Sequence, residues 1–573
     1  MITIIFNKPD FEYDVHSLVK AFFPQEEVEM FYTCSQDELG GRNVACTHHE
    51  ADELAKRLEE KDCNQRLTVE YLSELVEVPV EAGGQEQVEL PVGAGGQEQR
   101  ASVEINRLRF IWWQRGIALP EGLREEDFAS NTNTSIIVLK DEGISCIEQF
   151  IDVESKERAD IKNILKLYLY ELLEKSTGQK LPWGTLTGIR PTKIPMKLLD
   201  EGKSDREVFD YMKETYLASD EKINLSIDIA KREQKLLSSF DYKNGYSLYI
   251  GIPFCPSTCL YCSFTSYPLA VWKKQVDEYL GALIKEIDFV AERFVDKQLH
   301  SVYIGGGTPT TLEPYQLERL IRKVQSSFDL THCVEFTVEA GRPDSITREK
   351  LQTLHELGID RISVNPQTMK QATLDLIGRH HTVEDTIRSF HLAREVGFQN
   401  INMDLIMGLP EETIDDVRHT MEVLKELDPD NITIHSLAIK RAARLTIFKE
   451  RYQDMQMVNT QAHMDLCAEY CKQMGLSPYY LYRQKGMAGN MENVGYAKEG
   501  KAGVYNILIM EERHSIIACG AGASTKRVWQ EVNADGTHRI ERAENVKDVR
   551  TYIDRIDEMI ERKRKLFESQ YDL

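Results

Sequence analysis

Three cysteines lie within one short segment of the sequence, and their spacing is the clearest sign of chemistry in the chain. Cys255, Cys259 and Cys262 occur in the run Cys-Pro-Ser-Thr-Cys-Leu-Tyr-Cys, with no obvious fourth cysteine beside them. Thiolates suit iron–sulfur clusters, and four cysteines are the usual complement of a saturated [4Fe–4S] cluster. Three thiolates would hold three irons and leave the fourth open to a small molecule. The segment therefore predicts a cluster that serves as a reaction centre.

Zinc binding and unreactive thiols are the alternatives for the same cysteines. A structural zinc site normally takes four Cys or His ligands in short paired spacings, and no second pair lies close by. Cys333 is isolated, whereas Cys467 and Cys471 stand at helical spacing in an apolar context typical of core positions. The spacing favours the cluster, and both alternatives stay open at this point.

The cysteines follow the first strand of a repeating strand–loop–helix pattern. Amphipathic helices intervene, with apolar residues three or four positions apart, as at Val276, Leu280, Leu283 and Ile287. Repeated βα units predict an α/β fold whose parallel sheet curls into a partial (β/α)6 barrel, with its chemistry at the carboxyl ends of the strands. The strand candidates are residues 247–252, 301–304, 334–338, 361–364, 400–406 and 431–437.

Glycines and polar residues stand at the ends of these strand candidates. The triple glycine at residues 305–307 follows the second strand, where missing side chains would let a ligand approach the backbone. A lone acidic residue in the largely apolar fifth strand also predicts a partner or a ligand. Each feature alone is compatible with a structural role, but together they outline one site. The polar positions are Thr308, Glu339, Gln367, Arg379 and Asp404.

The composition limits the class of protein. The 573 residues carry a net charge of −23, which argues against a general nucleic-acid binder. No apolar run is long enough to predict a membrane-spanning helix, and the first residues lack the pattern of a signal peptide. Eleven cysteines scattered along the chain fit a reducing, cytoplasmic compartment.

Changes of pattern along the chain predict four parts. The N-terminal part contains strand patterns at residues 108–113 and 135–139, an apolar helical stripe at 161–172, and a repeated glycine-rich unit within 79–99 that we interpret as a flexible insertion. The parts are an α+β N-terminal extension (1–176), a linker and helical segment (177–245), the partial barrel (246–440) and a smaller C-terminal α/β region (441–573).

Together, these motifs resemble the radical S-adenosylmethionine superfamily, and within it the oxygen-independent coproporphyrinogen III oxidase family with its heme chaperone branch. The long N-terminal extension and residues 186–193 resemble the coproporphyrinogen dehydrogenase branch. The motifs that carry the resemblance are residues 249–254, the three cysteines, 305–310, Glu339-Ala340, 361–367, 404–410 and 519–524.

The resemblance implies two cofactors, a [4Fe–4S] cluster held by the three cysteines and S-adenosylmethionine on the open iron. Tyr249, Tyr261 and Ile406 would lie near the adenine. The other positions implied to bind S-adenosylmethionine are Gly306, Gly307, Thr308, Glu339, Gln367, Arg379 and Asp404.

The reaction implied by the resemblance belongs to anaerobic heme biosynthesis. A 5′-deoxyadenosyl radical would take hydrogen from a propionate of coproporphyrinogen III, and loss of carbon dioxide would leave a vinyl group, giving protoporphyrinogen IX after two rounds. The implied partners are a tetrapyrrole and a low-potential electron donor such as a flavodoxin or ferredoxin. Candidate cations for the substrate carboxylates are Arg190, Lys193, Lys440, Arg441 and Arg444, with a solvated basic turn or a domain connector as the alternative.

One position departs from the oxidase pattern. The oxidases have a further cysteine two residues after the third cluster cysteine, where this chain has Phe264. The chaperone branch lacks that cysteine as well. Two alternatives to the dehydrogenase therefore stay open: a heme chaperone that binds heme without turnover, and a radical enzyme that modifies heme.

Overall fold

The computed structural model describes residues 2–6, 11–24, 26, 28–32, 65–79, 100–115, 137–141, 144–152, 158–438, 443–447, 455–484, 487–532 and 538–568. The chain divides into two compact units. The first comprises Met1–Thr187 and Asp210–Asp220, and the second comprises Gly188–Phe209 and Glu221–Leu573.

The described part of the first unit contains a six-stranded mixed sheet in the order β2-β1-β3-β4-β6-β5. Alternating residues of the first strand, Ile2, Ile4 and Phe6, are buried beside the apolar faces of the helices. The predicted strand at 108–113 and helix at 161–172 are confirmed, whereas residues 80–99 of the predicted insertion lie outside the described residues. The elements are β1 (Ile2–Phe6), α1 (Glu12–Phe22), β2 (Val28–Tyr32), β3 (Gln65–Pro79), β4 (Arg100–Arg115), β5 (Ile137–Asp141), β6 (Ile144–Asp152) and α2 (Arg158–Thr177).

The remaining strands belong to the second unit. They are β7 (Gly245–Ile252), β8 (Phe254–Cys255), β9 (Tyr267–Pro268), β10 (Gln298–Gly306), β11 (Glu335–Glu339), β12 (Arg361–Ser363), β13 (Ile401–Met407), β14 (Asn431–Ser436), β15 (Ser477–Tyr482), β16 (Asn493–Ala497), β17 (Ser515–Cys519), β18 (Ser524–Val532) and β19 (His538–Glu544).

The remaining helices follow in chain order. They are α3 (Lys193–Asp200), α4 (Asp205–Tyr216), α5 (Asp220–Leu237), α6 (Leu269–Trp272), α7 (Val276–Arg293), α8 (Pro314–Ser327), α9 (Arg348–Glu356), α10 (Gln371–Leu376), α11 (Val383–Val396), α12 (Ile414–Leu427), α13 (Arg444–Ile447), α14 (Gln461–Gln473), α15 (Val504–Glu511), α16 (Val549–Asp554) and α17 (Ile556–Glu568).

A large, mainly parallel sheet organises the second unit and confirms the predicted α/β class. Within the described residues, eleven strands lie in the order β15-β16-β14-β13-β12-β11-β10-β7-β17-β18-β19. The strands from β7 to β14 in this order pair in parallel and coincide with the six strand candidates. β17 pairs in parallel with the other edge of β7. The sheet therefore continues into the C-terminal region, beyond the predicted boundary at residue 440.

Local sequence explains why the crossover helices begin where they do. Thr382 precedes α11 and accepts a hydrogen bond from Asp385 N, and Thr413 precedes α12 and accepts one from Asp416 N. Each aspartate side chain accepts from the threonine N–H in return, which satisfies two otherwise unpaired helix N–H groups. On α7 the residues of the predicted apolar stripe are buried. No helix in the described ranges is long and apolar enough to cross a membrane.

Candidate functional site

A cavity of about 250 Å³ opens at the carboxyl edge of the parallel strands. It collects residues from the cysteine loop after β7 and from the segments that end β10, β11, β12 and β13. The topology thus brings together predicted site positions that are up to 151 residues apart, from residue 255 to residue 406. The predicted site residues that line it are Cys255, Cys259, Tyr261, Cys262, Gly306, Gly307, Thr308, Glu339, Gln367, Arg379, Asp404 and Ile406.

Hydrogen bonds anchor the cysteine loop to the segment after α10. Leu260 N donates to Ile377 O at 2.9 Å, and Ser257 Oγ donates to Gly378 O at 2.9 Å. Burial raises the pKa of the Cys255 thiol to about 11. A free thiol here is protonated at neutral pH, so ligation of a metal or cluster must release a proton.

The cysteine arrangement bears on the choice between a cluster and a single ion. Among the described residues, no three His, Cys, Asp or Glu side chains are grouped so that they could hold one metal ion. A [4Fe–4S] cluster does not need such a group, because each cysteine ligates a different iron. The separation of the three thiols is therefore compatible with a cluster.

The glycines after β10 pass so close to the backbone of the cysteine loop that a side chain would not fit. Gly307 N donates to Ile252 O at 2.7 Å, and Thr308 N donates to Phe254 O at 2.7 Å. A Cβ on Gly307 would lie 2.6 Å from Phe254 O, and Gly306 has a φ of +107°. The cavity wall beside the cysteines is therefore bare backbone, which a ligand can approach closely.

Glu339 is the last residue of β11 and lines the cavity, where a hydrogen bond fixes its carboxylate. Tyr303 Oη donates a hydrogen bond to Glu339 Oε1. Burial, together with the negative charge of Asp404, raises the pKa of Glu339 to about 7 against the effect of that hydrogen bond. Glu339 can therefore gain or lose a proton near neutral pH.

Asp404 lies within β13, and its pKa is shifted in the opposite direction from that of Glu339. Asn402 Nδ2 donates to Asp404 Oδ1 at 2.7 Å, and His435 Nε2 lies 3.9 Å from the same oxygen. Burial alone would raise the pKa of Asp404, but His435 and Asn402 outweigh burial and lower it. Asp404 is therefore ionised and can accept hydrogen bonds from two hydroxyl groups.

Arg379 places a permanent positive charge in the cavity wall. Its side chain is 5% exposed, and its Nη1 donates to Asn365 O at 2.5 Å. Its Nε has no hydrogen-bond partner among the described residues. A buried cation with an unused N–H suits an anionic ligand such as a carboxylate.

These features fit the cofactors that the resemblance implies. Thiols at the loop suit an iron–sulfur cluster, and the bare backbone at Gly306 and Gly307 gives a second ligand room beside it. Arg379, Glu339 and Asp404 offer a cation and two differently tuned carboxylates, which complement the carboxylate, amine and ribose hydroxyls of S-adenosylmethionine.

Tyr249 lies beside the main cavity and does not line it. Its ring stacks on those of Tyr303 and Tyr505, with centroids 6.3 and 6.4 Å away. It lines a neighbouring cavity of about 220 Å³ that shares Gly306 and Phe264 with the first. Its predicted contact with adenine stays a prediction.

Arg190 and Lys193 pack against a carboxylate away from the cysteines. Arg190 Nη1 donates to Glu512 Oε2, and Lys193 Nζ lies 3.6 Å from the same oxygen. Glu512 precedes β17, whose first residue pairs with Tyr246 near the start of β7. The cysteines follow the other end of β7, so roughly 25 Å of strand separates the two groups. Their predicted role in substrate binding therefore gains no support from their position.

The cations after β14 are only partly described. Lys440 and Arg441 lie outside the described residues. Arg444 Nη1 donates to Thr258 O at 3.3 Å, on the outer side of the cysteine loop. There it lines a separate cavity with Pro256 and His380, not the cavity at the cysteines.

The structure adds cavity residues that the sequence analysis missed. His435 lies in β14 between Ile434 and Ser436 and reaches Asp404, and Asn365 accepts from Asp404 N at 3.2 Å. Arg342, which follows Glu339 by three residues in the sequence, also lines the cavity. Strand alternation could have found His435, because it shares one face of β14 with the polar residues Asn431 and Thr433, and Arg342 is the cation next to a recognised motif.

Phe264 stands at the mouth of the cavity. It is 74% exposed and lines both the main cavity and its neighbour, together with Ser263. An aromatic ring this exposed gains little from folding, because most of its surface remains in water.

Residues 249–424 match the Radical SAM superfamily. The chain is 40% identical to the oxygen-independent coproporphyrinogen-III oxidase-like protein HemZ of Bacillus subtilis (strain 168), over 74% of this chain and 84% of that relative. It is also 40% identical to the heme chaperone HemW of the same organism, over 34% of this chain and 51% of that relative. The solved coproporphyrinogen III oxidase HemN of Escherichia coli matches 57% of this chain and 73% of its own, with 24% identity and a TM-score of 0.44.

The cysteine loop, the parallel sheet and the matched residues define a protein of the radical SAM superfamily. Because the HemZ relative is matched over most of its length, the class can be narrowed further. The chain belongs to the oxygen-independent coproporphyrinogen III oxidase-like family.

Proposed function

We propose that the protein is an anaerobic coproporphyrinogen III dehydrogenase that converts propionate side chains to vinyl groups. The observation that carries this proposal is the convergence of three cysteines, two differently tuned carboxylates and Arg379 on one cavity. Family membership supports the proposed dehydrogenase activity, because the HemZ relative is named as an oxidase-like protein.

The residues of the cavity would hold the cofactors and exclude water. Cys255, Cys259 and Cys262 would ligate the cluster, and Arg379 would hold the carboxylate of S-adenosylmethionine. Asp404 would accept hydrogen bonds from ribose hydroxyls. When bound, the two cofactors supply an organic radical that removes hydrogen from the substrate, and the protein contributes orientation.

The substrate contacts and the partners are part of the same proposal. The propionates require cations, and Lys440 and Arg441 follow β14 in the sequence. Arg444 is already bonded to the cysteine loop and is a weaker candidate. A low-potential flavodoxin or ferredoxin in the cytoplasm would supply the electrons.

Anaerobic turnover tests the proposal. The reconstituted protein is incubated with coproporphyrinogen III, S-adenosylmethionine, a reductant and an electron acceptor, and the products are separated by chromatography. Protoporphyrin that forms together with 5′-deoxyadenosine supports the dehydrogenase. Unchanged coproporphyrin in a sample with a full complement of iron and sulfide contradicts it.

Phe264 favours a second candidate, a heme-binding protein of the same family. Its ring is exposed at the cavity mouth, where a planar, conjugated tetrapyrrole could stack on it. A porphyrinogen is puckered and not conjugated, so it gains less from such a ring. Tight heme binding that weakens in Phe264→Ala and persists in Phe264→Tyr, without porphyrinogen consumption, supports this candidate. An altered tetrapyrrole from heme and S-adenosylmethionine indicates a heme-modifying enzyme instead.

A further inference from the structure

Arg342 is a buried guanidinium beside the cysteine loop. It follows Glu339-Ala340-Gly341 at the end of β11, and only 3% of the residue is exposed. A buried cation is costly unless its donors are paired, so the partners of Arg342 show what the position is built for.

The guanidinium is fixed on one side by a carboxylate. Its Nε donates to Asp344 Oδ1 at 2.9 Å, and its Nη2 donates to Asp344 Oδ2 at 2.6 Å. Two parallel hydrogen bonds fix both the plane and the direction of the group. The third nitrogen, Nη1, is thereby directed away from Asp344.

That third nitrogen points into the cysteine loop. Nη1 donates to Ser257 Oγ at 3.0 Å and to Ser257 O at 3.3 Å, and it lies 3.6 Å from Cys259 Sγ. Cys255 Sγ has a neutral donor instead, the Thr308 hydroxyl at 3.5 Å. Cys259 therefore has the fixed positive charge of Arg342 at its sulfur, in addition to the charge of Arg379, which also interacts with Cys259.

We propose that Arg342 raises the reduction potential of the cluster through Cys259. Reduction adds a negative charge to a cluster, and both a fixed cation and an N–H donor at a ligating sulfur stabilise the reduced form. The residue thus acts as a positioning and tuning group that makes electron entry easier. The inference rests on the proposed cluster but not on the identity of the tetrapyrrole.

Redox titration followed by electron paramagnetic resonance tests the inference on reconstituted full-length protein, normalised to iron and sulfide. In Arg342→Gln the midpoint potential should shift to more negative values, so that the ratio of reduced to oxidised cluster at the wild-type midpoint falls below one. Arg342→Lys keeps the charge and should stay close to wild type. Asp344→Asn removes the opposing charge and should shift the midpoint to more positive values.

Ser257→Ala is the control for loop geometry, because it removes a contact of Nη1 without changing the charge. It should leave the midpoint unchanged. An unchanged midpoint in Arg342→Gln, a negative shift in Asp344→Asn, or an equal shift in Ser257→Ala overturns the inference. If Arg342→Gln assembles no cluster, the Asp344→Asn shift decides. A wild-type protein without a cluster overturns the proposed function itself, whereas absent porphyrinogen turnover with the expected shifts overturns only the proposed substrate.

Discussion

At the scale of single residues, the cysteines of the loop can be told apart from the other cysteines of the chain by substitution. Cys259→Ala should abolish the brown iron–sulfur absorbance or the cleavage of S-adenosylmethionine, because one iron would lose its ligand. Cys333→Ala is the matched control: Cys333 is half-buried and donates to the Glu335 carbonyl far from the loop. A Cys259→Ala protein with full cleavage activity would refute the ligand assignment.

The pKa of Glu339 predicts a pH dependence of stability. Because burial raises the pKa to about 7, the folded state holds a proton between about pH 4.5 and about pH 7 that the unfolded state has released. Stability therefore falls as pH rises through this window and levels off above it. In Glu339→Gln that contribution should disappear, so the difference in unfolding free energy between wild type and variant should change by up to about 3 kcal/mol.

Urea denaturation of both proteins at about pH 5 and about pH 8 measures this difference. The comparison with Glu339→Gln is needed because other groups titrate in the same window, among them Glu412, whose pKa burial raises to about 7. An identical pH profile for the two proteins would contradict the assignment of the slope to Glu339.

At the scale of elements, the glycine segment after β10 makes a steric prediction. Gly307→Ala would place a Cβ 2.6 Å from Phe254 O, so either the glycine segment or the cysteine loop must move. We expect a loss of about 1 to 3 kcal/mol of stability and weaker binding of S-adenosylmethionine. Isothermal titration calorimetry on the reconstituted protein measures the second effect.

Gly281 is the control for this substitution. It lies on α7 with no atom within 4 Å of a built Cβ, so Gly281→Ala should stabilise the helix by about 0.5 to 1 kcal/mol and leave binding unchanged. Equal binding by the Gly307→Ala and Gly281→Ala proteins would show that the glycine segment does not approach the ligand.

Elements with local signals could be predicted from the sequence, and elements that depend on distant partners could not. The six parallel strands from β7 to β14 follow from strand–helix periodicity, and this places Glu339 and Asp404 at one cavity. The place of β17 in the sheet does not follow from local pattern, because it is set by pairing with β7, which lies more than 260 residues earlier in the chain. Likewise, the sequence shows the cations Arg190 and Lys193 but does not predict their partner. Arg190 pairs with Glu512, which lies 322 positions later in the chain.

At the scale of the whole second unit, a buried polar cluster joins the C-terminal helices to α7. Lys563 Nζ on α17 donates to Glu286 Oε1 on α7 at 2.6 Å, and both side chains are 0% exposed. The remaining partners of Glu286 are Gly520 N, Asn545 Nδ2 and Tyr552 Oη. The cluster therefore ties α17 to α7, the long helix between β7 and β10.

Lys563→Met should cost about 3 to 5 kcal/mol of unfolding free energy, because it leaves the Glu286 carboxylate buried without its cation. Lys285→Met is the matched control: Lys285 pairs with Asp557 between the same two helices at 2.5 Å, but the two side chains are 53% and 79% exposed. Its loss should cost less than about 1 kcal/mol. Equal denaturation midpoints for the two variants would contradict the role of the buried pair.

The position of β17 has a consequence for folding during synthesis on the ribosome. β7 and the cysteines are translated roughly 10 to 50 s before β17, given the usual rate of synthesis. Throughout that interval, the edge of β7 that β17 covers in the finished sheet is open to any other strand. A nascent chain therefore carries its cysteine loop beside an uncovered sheet edge until β17 has been made, although residue 493, the last that lines the cavity at the cysteines, is translated earlier.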